Sequence, residues 1–268
     1  MKNLIVIPAY NEAENILAVI SEARALRLPV DILVVDDGSS DATAALSEQA
    51  GVNVLKLPFN LGYGAAVQTG LIYAVEAGYD VCVLTDGDGQ HDPKYIPELL
   101  APVVAGQADL ALGSRFLGKA DYAIPFTRKL GILLFSRLAS VFTRQRITDP
   151  TSGFQAISRR LMVFFIKDNY PYDFPDADTL IRLHFAGFRI REVPVTIRPR
   201  WRGQSMHGGA KTLYYIYKML FSIFIALTQR KMLARREDYA VSNQTDDGAG
   251  KHAGDADYRE SRAAETAR

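Results

Sequence analysis

The stretch VCVLTDGDGQHDP, residues 81–93, joins an apolar run to an acidic, glycine-rich loop. The apolar run indicates a short buried strand, which ends where Thr85 begins the polar loop. In an extended chain Asp86 and Asp88 point to the same side, so that their carboxylate oxygens can meet one divalent cation. The glycines that follow each aspartate, Gly87 and Gly89, allow a phosphate to approach the backbone closely. The stretch therefore predicts a site for a divalent cation and a diphosphate, directly after a buried strand.

An acidic turn of this kind has two simpler explanations, a helix cap or a calcium loop. A calcium loop of the hand type needs a longer series of oxygen ligands that ends in Glu, and the sequence after Asp88 lacks that series. A helix cap stays open on this stretch alone, so the rest of the chain has to decide between the two interpretations.

Strand and helix units precede this strand along the chain. Their apolar runs and helical periods occupy residues 4–7, 14–26, 32–35, 52–57 and 65–77. Ser40 or Asp41 is placed to cap a helix after the second run. Buried strands that alternate with helices indicate an α/β fold with a mostly parallel central sheet, in which ligands bind beyond the carboxyl ends of the strands. We therefore expect the polar loops after strands one, two and four to line one crevice.

The pattern after residue 93 is less regular. It predicts helices at 95–104, 126–142 and 177–185, and strands at 110–112 and 189–197. From residue 235 the chain has almost no large aliphatic residues, so it cannot bury enough apolar surface to offset its ordering entropy. We expect a main domain at 1–210, an apolar and basic helix at 211–234, and a disordered tail at 235–268.

The composition is that of an ordinary globular protein, with 268 residues of which 48% are hydrophobic and 23% charged. This length suits one α/β domain with a short appendage and excludes a second catalytic domain of similar size. The net charge of +1 gives no general reason to expect nucleic acid as a partner. The single cysteine, Cys82, lies in the apolar run and predicts a buried thiol without an intrachain disulfide.

Two segments bear on where the protein works. The N-terminal apolar run is too short for a signal peptide, so we expect the main domain to face the cytoplasm. The segment LYYIYKMLFSIFIAL at 213–227 is strongly apolar, but it is shorter than the roughly 20 residues that span a bilayer. Basic residues surround it and its tyrosines suit the headgroup level, which favours peripheral attachment to a membrane surface. A core or dimer helix with a solvated basic end is the alternative.

Ordered motifs in the first half of the chain favour the cation site over the helix cap. They read PAYNE (8–12), VVDDGSSD (34–41), NLGYG (60–64) and DGDGQ (86–90). In this order they resemble glycosyltransferase family 2. Later segments are similar to the branch of dolichol and polyprenol phosphate mannosyl- and glucosyltransferases, and the resemblance runs from about residue 3 to residue 206. These segments read GSRF (113–116), DPTSGF (149–154) and EVP (192–194).

The resemblance implies the GT-A fold of nucleotide-diphospho-sugar transferases, with the sugar nucleotide across the carboxyl edge of the sheet. It implies that Pro8, Tyr10 and Glu12 line the base and ribose pocket, and that Asp37 accepts hydrogen bonds from the base or the ribose. The residue types agree with these roles, because a Tyr ring can stack on a base and a carboxylate bonds strongly to a hydroxyl or a ring N–H.

The same resemblance assigns Asp86, Asp88 and Gln90 to Mg²⁺ or Mn²⁺, which would neutralise charge on the leaving diphosphate. Arg200 matches a residue that contacts the donor diphosphate, with Arg202 as a helper. The resemblance also implies an inverting transfer. Such a transfer is a single displacement at the anomeric carbon, which requires alignment of the reactants and in some cases a base.

The acceptor side of the resemblance rests on two arginines. Arg115 and Arg128 match the positions that hold the acceptor phosphate in the polyprenol phosphate branch, and a guanidinium suits phosphate oxygens. Each could instead be a surface ion-pair partner. Asp149 and Ser152 belong to the segment that would form the acceptor loop, where Asp149 either orders the loop or caps a turn.

Two departures weaken the case for a polyprenyl phosphate acceptor. Met206 stands where the branch usually has Lys, and Ile132 stands where it often has Ser. A sugar hydroxyl as acceptor would need a general base, whereas a phosphate is already ionised. Asp176 is the preferred base, with Asp178 beside it. The alternative is that both carboxylates cap and charge the start of the next helix.

The sequence therefore predicts a cytoplasm-facing glycosyltransferase that moves a hexose from a UDP- or GDP-sugar to a lipid-linked acceptor, with polyprenyl phosphate favoured. Transfer to a saccharide hydroxyl in cell-wall, capsule or lipopolysaccharide synthesis is the alternative. A nucleotide-sugar binding protein without turnover is a weaker rival, because both aspartates of the predicted cation site are present. A nucleotidyltransferase is disfavoured because residues 8–12 do not form a glycine-rich basic loop.

Overall fold

The computed structural model describes residues 1–117, 126–167, 170, 176–199 and 211–230, with the backbone alone at 126–129 and 211–216. The predictions for Arg200, Arg202 and Met206 lie outside the described residues. The predicted disordered tail at 235–268 and the end of the predicted helix at 211–234 lie outside them as well. For Arg128 the structure describes the backbone and no side chain.

Strands and helices alternate through the first half of the chain, as the apolar pattern predicts. The strands are β1 Asn3–Ala9, β2 Val30–Asp36, β3 Asn53–Lys56, β4 Val81–Leu84, β5 Leu110–Ser114, β6 Gln155–Ser158 and β7 Ile190–Pro194. The helices are α1 Ile16–Ala25, α2 Thr43–Gln49, α3 Tyr63–Glu76, α4 Ile96–Val104, α5 Phe126–Thr143, α6 Arg159–Ile166, α7 Ala177–Phe185 and α8 Lys211–Thr228. The predicted bounds are met within a few residues, except that β6 and α6 were not predicted.

Within the described residues the strands form one seven-stranded sheet in the order β3-β2-β1-β4-β6-β5-β7. The strand pairs are parallel except those of β6, which runs antiparallel to β4 and to β5. The predicted α/β class with a mostly parallel sheet is therefore confirmed. Because β6 lies between β4 and β5, it separates the first strands from the later pair formed by β5 and β7.

The two faces of the sheet carry separate apolar cores, as the alternation of side chains along a strand requires. Leu4 and Val6 of β1 pack into the core that contains α3, α5, α6, α7 and α8. Ile5 and Ile7 pack into the core that contains α1 and α4. Cys82 is buried in the first core as a free thiol, as predicted, and burial raises its pKa. A shift of one residue in β1 would exchange the two sets of side chains, so the cores fix the register of the strand that leads to residues 8–12.

One helix start differs from the prediction. Ala42 occupies the N-cap position of α2, whereas the sequence predicts Ser40 or Asp41 there. Asp41 still serves the helix, because its Oδ1 accepts the backbone N–H of Thr43 at 2.9 Å. The same carboxylate accepts the backbone N–H of Ala13 at 3.0 Å. These bonds lower the pKa of Asp41 although its partial burial raises it. Asp41 therefore ties the loop after β1 to the loop after β2.

Helix α8 both packs on the domain and exposes apolar side chains. Met219, Ile223 and Ala226 are buried in the core beside α7. Ser222 donates a hydrogen bond to the carboxylate of Asp178 in the first turn of α7. Among the described residues, no helix combines the length and the hydropathy needed to cross a bilayer.

Candidate active site

The loops after β1, β2 and β4 meet at one edge of the sheet. In the parallel pairing Ala9 lies opposite Asp36, and β4 pairs with the other side of β1. Gly87 shows how closely the loops approach, because a Cβ there would lie 3.5 Å from both the Pro8 carbonyl oxygen and the Glu12 Cγ. The loops after strands one, two and four therefore meet as predicted, and a ligand-binding crevice between them stays a prediction.

The three residues predicted for the base and ribose pocket differ in their surroundings. Pro8 is buried within β1, while the Tyr10 side chain beyond the strand is 44% exposed. Glu12 is buried, its Oε2 accepts the Asn15 amide at 2.7 Å, and its backbone N–H bonds to Thr43. Tyr10 thus has the exposure that stacking on a base requires, whereas Glu12 also ties the loop to helix α1.

Asp37 organises the loop that carries the NLGYG motif. Its carboxylate is buried and accepts the backbone N–H groups of Leu61 at 2.8 Å and of Gly62 at 2.9 Å. Gly38 has a φ of +68°, and a Cβ on it would lie 2.5 Å from the backbone carbon of Phe59. The motif at 60–64 therefore depends on Asp37 and Gly38. The role of Asp37 toward a base or a ribose stays a prediction.

Asp86 is held from two sides. Its Oδ1 accepts the hydroxyl of Tyr63, the first residue of α3, at 3.2 Å. Its backbone N–H donates to the Nδ1 of His91 at 3.0 Å, so we assign the imidazole proton to Nε2, which lies 3.6 Å from Oδ2 of Asp86. Burial and the neighbouring Asp86 carboxylate raise the pKa of Tyr63. The phenol therefore stays a hydrogen-bond donor, and the carboxylate of Asp86 is oriented before any ligand binds.

His91 connects the acidic loop to the DPTSGF segment. Its ring stacks on Phe154 at a centroid distance of 4.7 Å and an interplanar angle of 7°. Burial lowers the pKa of His91 to about 4, while Asp88 and Asp149 raise it and Arg115 lowers it. His91 is thus neutral near pH 7 and lies within electrostatic range of both the acidic loop and the pair formed by Arg115 and Asp149. The sequence pattern predicts no role for His91, although its place directly after Gln90 was an available signal.

Asp88 and Gln90 complete the predicted cation ligands. Asp88 Oδ1 accepts the backbone N–H of Gln90 at 3.0 Å. The Gln90 side-chain nitrogen donates to the Arg198 carbonyl at 3.4 Å, so the amide oxygen is the atom suited to a cation. The part of the chain that the structure describes holds no group of three or more His, Cys, Asp and Glu residues that could bind a metal. Two carboxylates and one amide oxygen fit Mg²⁺ or Mn²⁺, which accept oxygen ligands and retain waters or phosphate oxygens in the other positions.

The chain after β7 passes beside the acidic loop that follows β4. The backbone N–H of Arg198 donates to the Gln90 carbonyl at 2.9 Å. The Arg198 guanidinium lies 2.7 Å from Glu22 and 3.0 Å from Asp92. The chain therefore approaches residue 200 alongside the predicted cation ligands.

Arg115 and Asp149, predicted separately, form one ion pair between a partly buried arginine and a buried aspartate. The carboxylate of Asp149 is fully buried and accepts Nε and Nη2 of Arg115, each at 2.6 Å, and the Arg115 backbone N–H at 3.0 Å. Nη2 also donates to the Thr151 hydroxyl at 2.8 Å. This fork geometry fixes the plane of the guanidinium. Ser152, also in this segment, is buried, and its hydroxyl accepts the backbone N–H of Phe154 at 3.3 Å.

Asp176 and Asp178 lie at the start of α7 in different roles. Asp176 occupies the N-cap position without a capping hydrogen bond from its side chain, and it is 5% exposed. The carboxylate of Asp178 accepts a hydrogen bond from the hydroxyl of Ser222. Burial and the charges of Asp86 and Asp176 raise the pKa of Tyr170, so this phenol lies within electrostatic range of both carboxylates.

Comparison with known proteins gives the class to which this fold and site belong. The family model described as Glycosyl transferase family 2 matches residues 4–164, which include β1 to β6 and the acidic loop. The structure is similar to the crystal structure of glucosyl-3-phosphoglycerate synthase from Mycobacterium tuberculosis, with a TM-score of 0.60 and 22% sequence identity. The match covers 85% of this chain and 78% of that one. The fold is therefore the GT-A fold of sugar-nucleotide transferases, as predicted.

Sequence relatives indicate the branch of the family that this chain resembles. The chain is 34% identical over 232 residues to a polyprenol monophosphomannose synthase of Mycolicibacterium smegmatis, covering 81% of this chain and 85% of the relative. It is 34% identical over 219 residues to an undecaprenyl-phosphate mannosyltransferase of Micrococcus luteus, covering 78% and 89%. A dolichol-phosphate mannosyltransferase of Pyrococcus furiosus is 36% identical over 236 residues, covering 82% and 64%. The chain belongs to glycosyl transferase family 2 and is a glycosyltransferase, and its resemblance to the polyprenol phosphate branch is confirmed.

Proposed function

We propose that the protein transfers a hexose, with mannose as the first candidate, from a UDP- or GDP-sugar to polyprenyl phosphate at a membrane surface. One observation carries this proposal. The carboxylates suited to a cation and the Arg115 guanidinium suited to a phosphate lie within electrostatic range of the same imidazole, that of His91. The named relatives support a lipid phosphate as acceptor and mannose as the sugar.

In this proposal Asp86, Asp88 and Gln90 hold Mg²⁺ or Mn²⁺. The bound cation neutralises the charge that develops on the leaving diphosphate. The structure from Mycobacterium tuberculosis was obtained with Mn²⁺ and UDP, which supports this assignment. Tyr63 and His91 orient the Asp86 carboxylate, which reduces the reorganisation needed when the donor binds.

The nucleoside binds in the crevice lined by Pro8, Tyr10 and Glu12, with Asp37 toward the base or the ribose. Arg200 and Arg202 contact the donor diphosphate as the chain continues beyond Arg198. On the acceptor side Arg115 and Arg128 hold the lipid phosphate, whose ionised oxygen attacks the anomeric carbon with inversion. Because that oxygen carries no proton at neutral pH, the displacement requires alignment and no general base.

Two exposed apolar stripes support a peripheral position on an anionic membrane, at its cytoplasmic face. Helices α5 and α8 flank α7 and contain no acidic residue within their bounds. The exposed apolar residues on them are Leu130, Leu133, Leu134, Val141, Tyr217, Leu220, Phe221, Phe224 and Ile225. Exposed cations on or beside these helices are Arg137, Arg144, Arg146, Lys218 and Arg230. An apolar face with cations near it matches the interface of a bilayer that contains anionic lipids.

The test is mass analysis of lipid products from protein reconstituted on vesicles that contain polyprenyl phosphate. A panel of UDP- and GDP-hexoses is offered with Mn²⁺ or with EDTA. A metal-dependent glycosyl phosphoryl lipid supports the proposal and identifies the sugar. Asp88→Asn should reduce its formation at least about a hundredfold, because a cation ligand is lost. The matched control is Glu48→Gln, which removes a carboxylate on α2 that is 51% exposed and paired with Lys56.

Transfer to a saccharide hydroxyl is the second candidate, with Asp176 as general base. It is favoured by the burial of Asp176 and by the position of Tyr170 within electrostatic range of both Asp86 and Asp176. Asp176→Asn should abolish transfer to a hydroxyl acceptor and leave transfer to a phosphate acceptor largely unchanged. If the wild-type protein releases nucleotide with a glycan acceptor and forms no glycosyl phosphoryl lipid, the first candidate is refuted and the second is supported.

A further inference from the structure

Glu192 on β7 binds the backbone of the segment that carries Asp149. Its carboxylate accepts the Thr148 N–H at 2.8 Å and 2.9 Å through its two oxygens, and the Asp149 N–H at 2.8 Å. It also accepts the Thr148 hydroxyl at 2.9 Å, and that hydroxyl lies 2.5 Å from the hydroxyl of Ser114. One side chain thus satisfies two consecutive backbone donors of a non-helical segment.

The position of Glu192 in the sheet explains how it can do this. β7 pairs with β5 so that Glu192 lies opposite Leu112, three residues before Arg115. Burial raises the pKa of Glu192, while the bonds from Asp149 and Thr148 lower it. Glu192 therefore holds the backbone at Thr148 and Asp149, while the side chain of Asp149 binds Arg115.

The Asp149 carboxylate in turn fixes the position of Arg115. It engages Arg115 through the backbone N–H, Nε and Nη2. Because a bidentate pair fixes the plane of the guanidinium, any displacement of Asp149 rotates or shifts the group predicted to meet the acceptor phosphate. A displacement of about 1 Å in a group that aligns a reactant can reduce the rate by about a hundredfold.

We propose that Glu192 is a positioning residue for the acceptor phosphate, acting through Thr148 and Asp149 to hold Arg115 in its binding orientation. This inference rests on the proposed transfer to polyprenyl phosphate. The carboxylate of Glu192 bonds to Thr148 and Asp149 on the acceptor side, which distinguishes its role from that of the donor residues.

The test compares Glu192→Ala, Glu192→Gln and the wild-type protein on vesicles with polyprenyl phosphate. KM for the lipid and kcat are measured by product formation, and the Kd of the donor nucleotide with Mn²⁺ is measured by calorimetry. Glu192→Ala should raise KM for the lipid about tenfold or more and leave the nucleotide Kd within about twofold. Glu192→Gln should recover most of the lipid KM, because the amide oxygen can still accept the two backbone N–H groups.

The nucleotide Kd also reports whether the alanine variant is folded. Two results would overturn the positioning role: equal rises in the lipid KM and the nucleotide Kd, or an unchanged lipid KM in Glu192→Ala. If Glu192→Ala does not fold, the decision rests on Thr148→Val, which removes the hydroxyl that bonds to Glu192 and lies beside the Ser114 hydroxyl. A lipid KM unchanged in Thr148→Val then overturns the role, and a rise confined to the lipid KM supports it. If the wild-type protein forms no lipid product, the proposed function fails, and this inference fails with it.

Discussion

Replacement of His91 by phenylalanine tests whether the acidic loop is oriented in advance for a cation. The Phe side chain can keep the stack on Phe154, which has a centroid distance of 4.7 Å, but it removes the acceptor for the Asp86 backbone N–H. A buried donor without a partner costs about 1–3 kcal/mol. Because the Asp86 side chain is 31% exposed, water reaches part of this region, and we expect a loss of about 1–2 kcal/mol in unfolding free energy.

The same variant should bind Mn²⁺ more weakly although His91 is not one of the predicted ligands. Residues that orient metal ligands contribute about 10- to 100-fold to affinity, and we expect about tenfold here because Tyr63 still holds Asp86. Urea unfolding gives the stability, and electron paramagnetic resonance of free Mn²⁺ gives the affinity without any need for turnover. The matched control is His184→Phe on α7, which makes the same chemical change elsewhere. If His91→Phe binds Mn²⁺ as tightly as the control does, the orienting role of His91 is wrong.

Three further predictions address the other parts of the site. Gly38→Ala should lower the unfolding free energy by more than about 1 kcal/mol in thermal melts, because of its positive φ and the 2.5 Å approach to Phe59; a neutral effect would contradict the role assigned to that loop. Phe221→Glu should reduce flotation with anionic vesicles, whereas Val104→Glu on α4 should not; equal flotation of the two variants would contradict the membrane-facing role of α8. EDTA should abolish product formation and excess Mn²⁺ should restore it, and turnover that persists in EDTA would refute the cation assignment.

The donor side was predictable because its determinants are local in sequence. Asp86 and Asp88 follow β4 directly, and Pro8 to Glu12 follow β1, so that strand periodicity and one rule about parallel sheets place them together. The supporting contacts were not predictable in the same way. That His91 holds the Asp86 N–H depends on the turn at Gly89, whose φ is +76°, and on the arrival of Phe154 from a distant segment. Neither condition is visible in a local pattern.

The acceptor side depends on contacts between segments that are far apart in sequence. Arg115, Asp149 and Glu192 come from the end of β5, the loop before β6 and the middle of β7. They become neighbours because β6 returns antiparallel between β4 and β5, and because β7 then adds to the outer edge of β5. The strand β6 (QAIS) has polar residues at both ends and two apolar residues between them, so it forms no apolar run and the sequence did not predict it.

This dependence on β6 links the two sides of the site. The strand begins at Gln155, so Phe154, which stacks on His91, directly precedes the strand that joins β4 to the pair formed by β5 and β7. Gly153 is part of the same junction, since a Cβ there would lie 3.1 Å from the Tyr63 hydroxyl and 3.8 Å from Asp86 Oδ1. The segment at 149–154 therefore contacts Arg115 at one end and the neighbours of Asp86 at the other. Under the proposed function, Asp149 at one end of this segment serves the acceptor arginine, and Gly153 at the other end packs against the residues around the cation ligands.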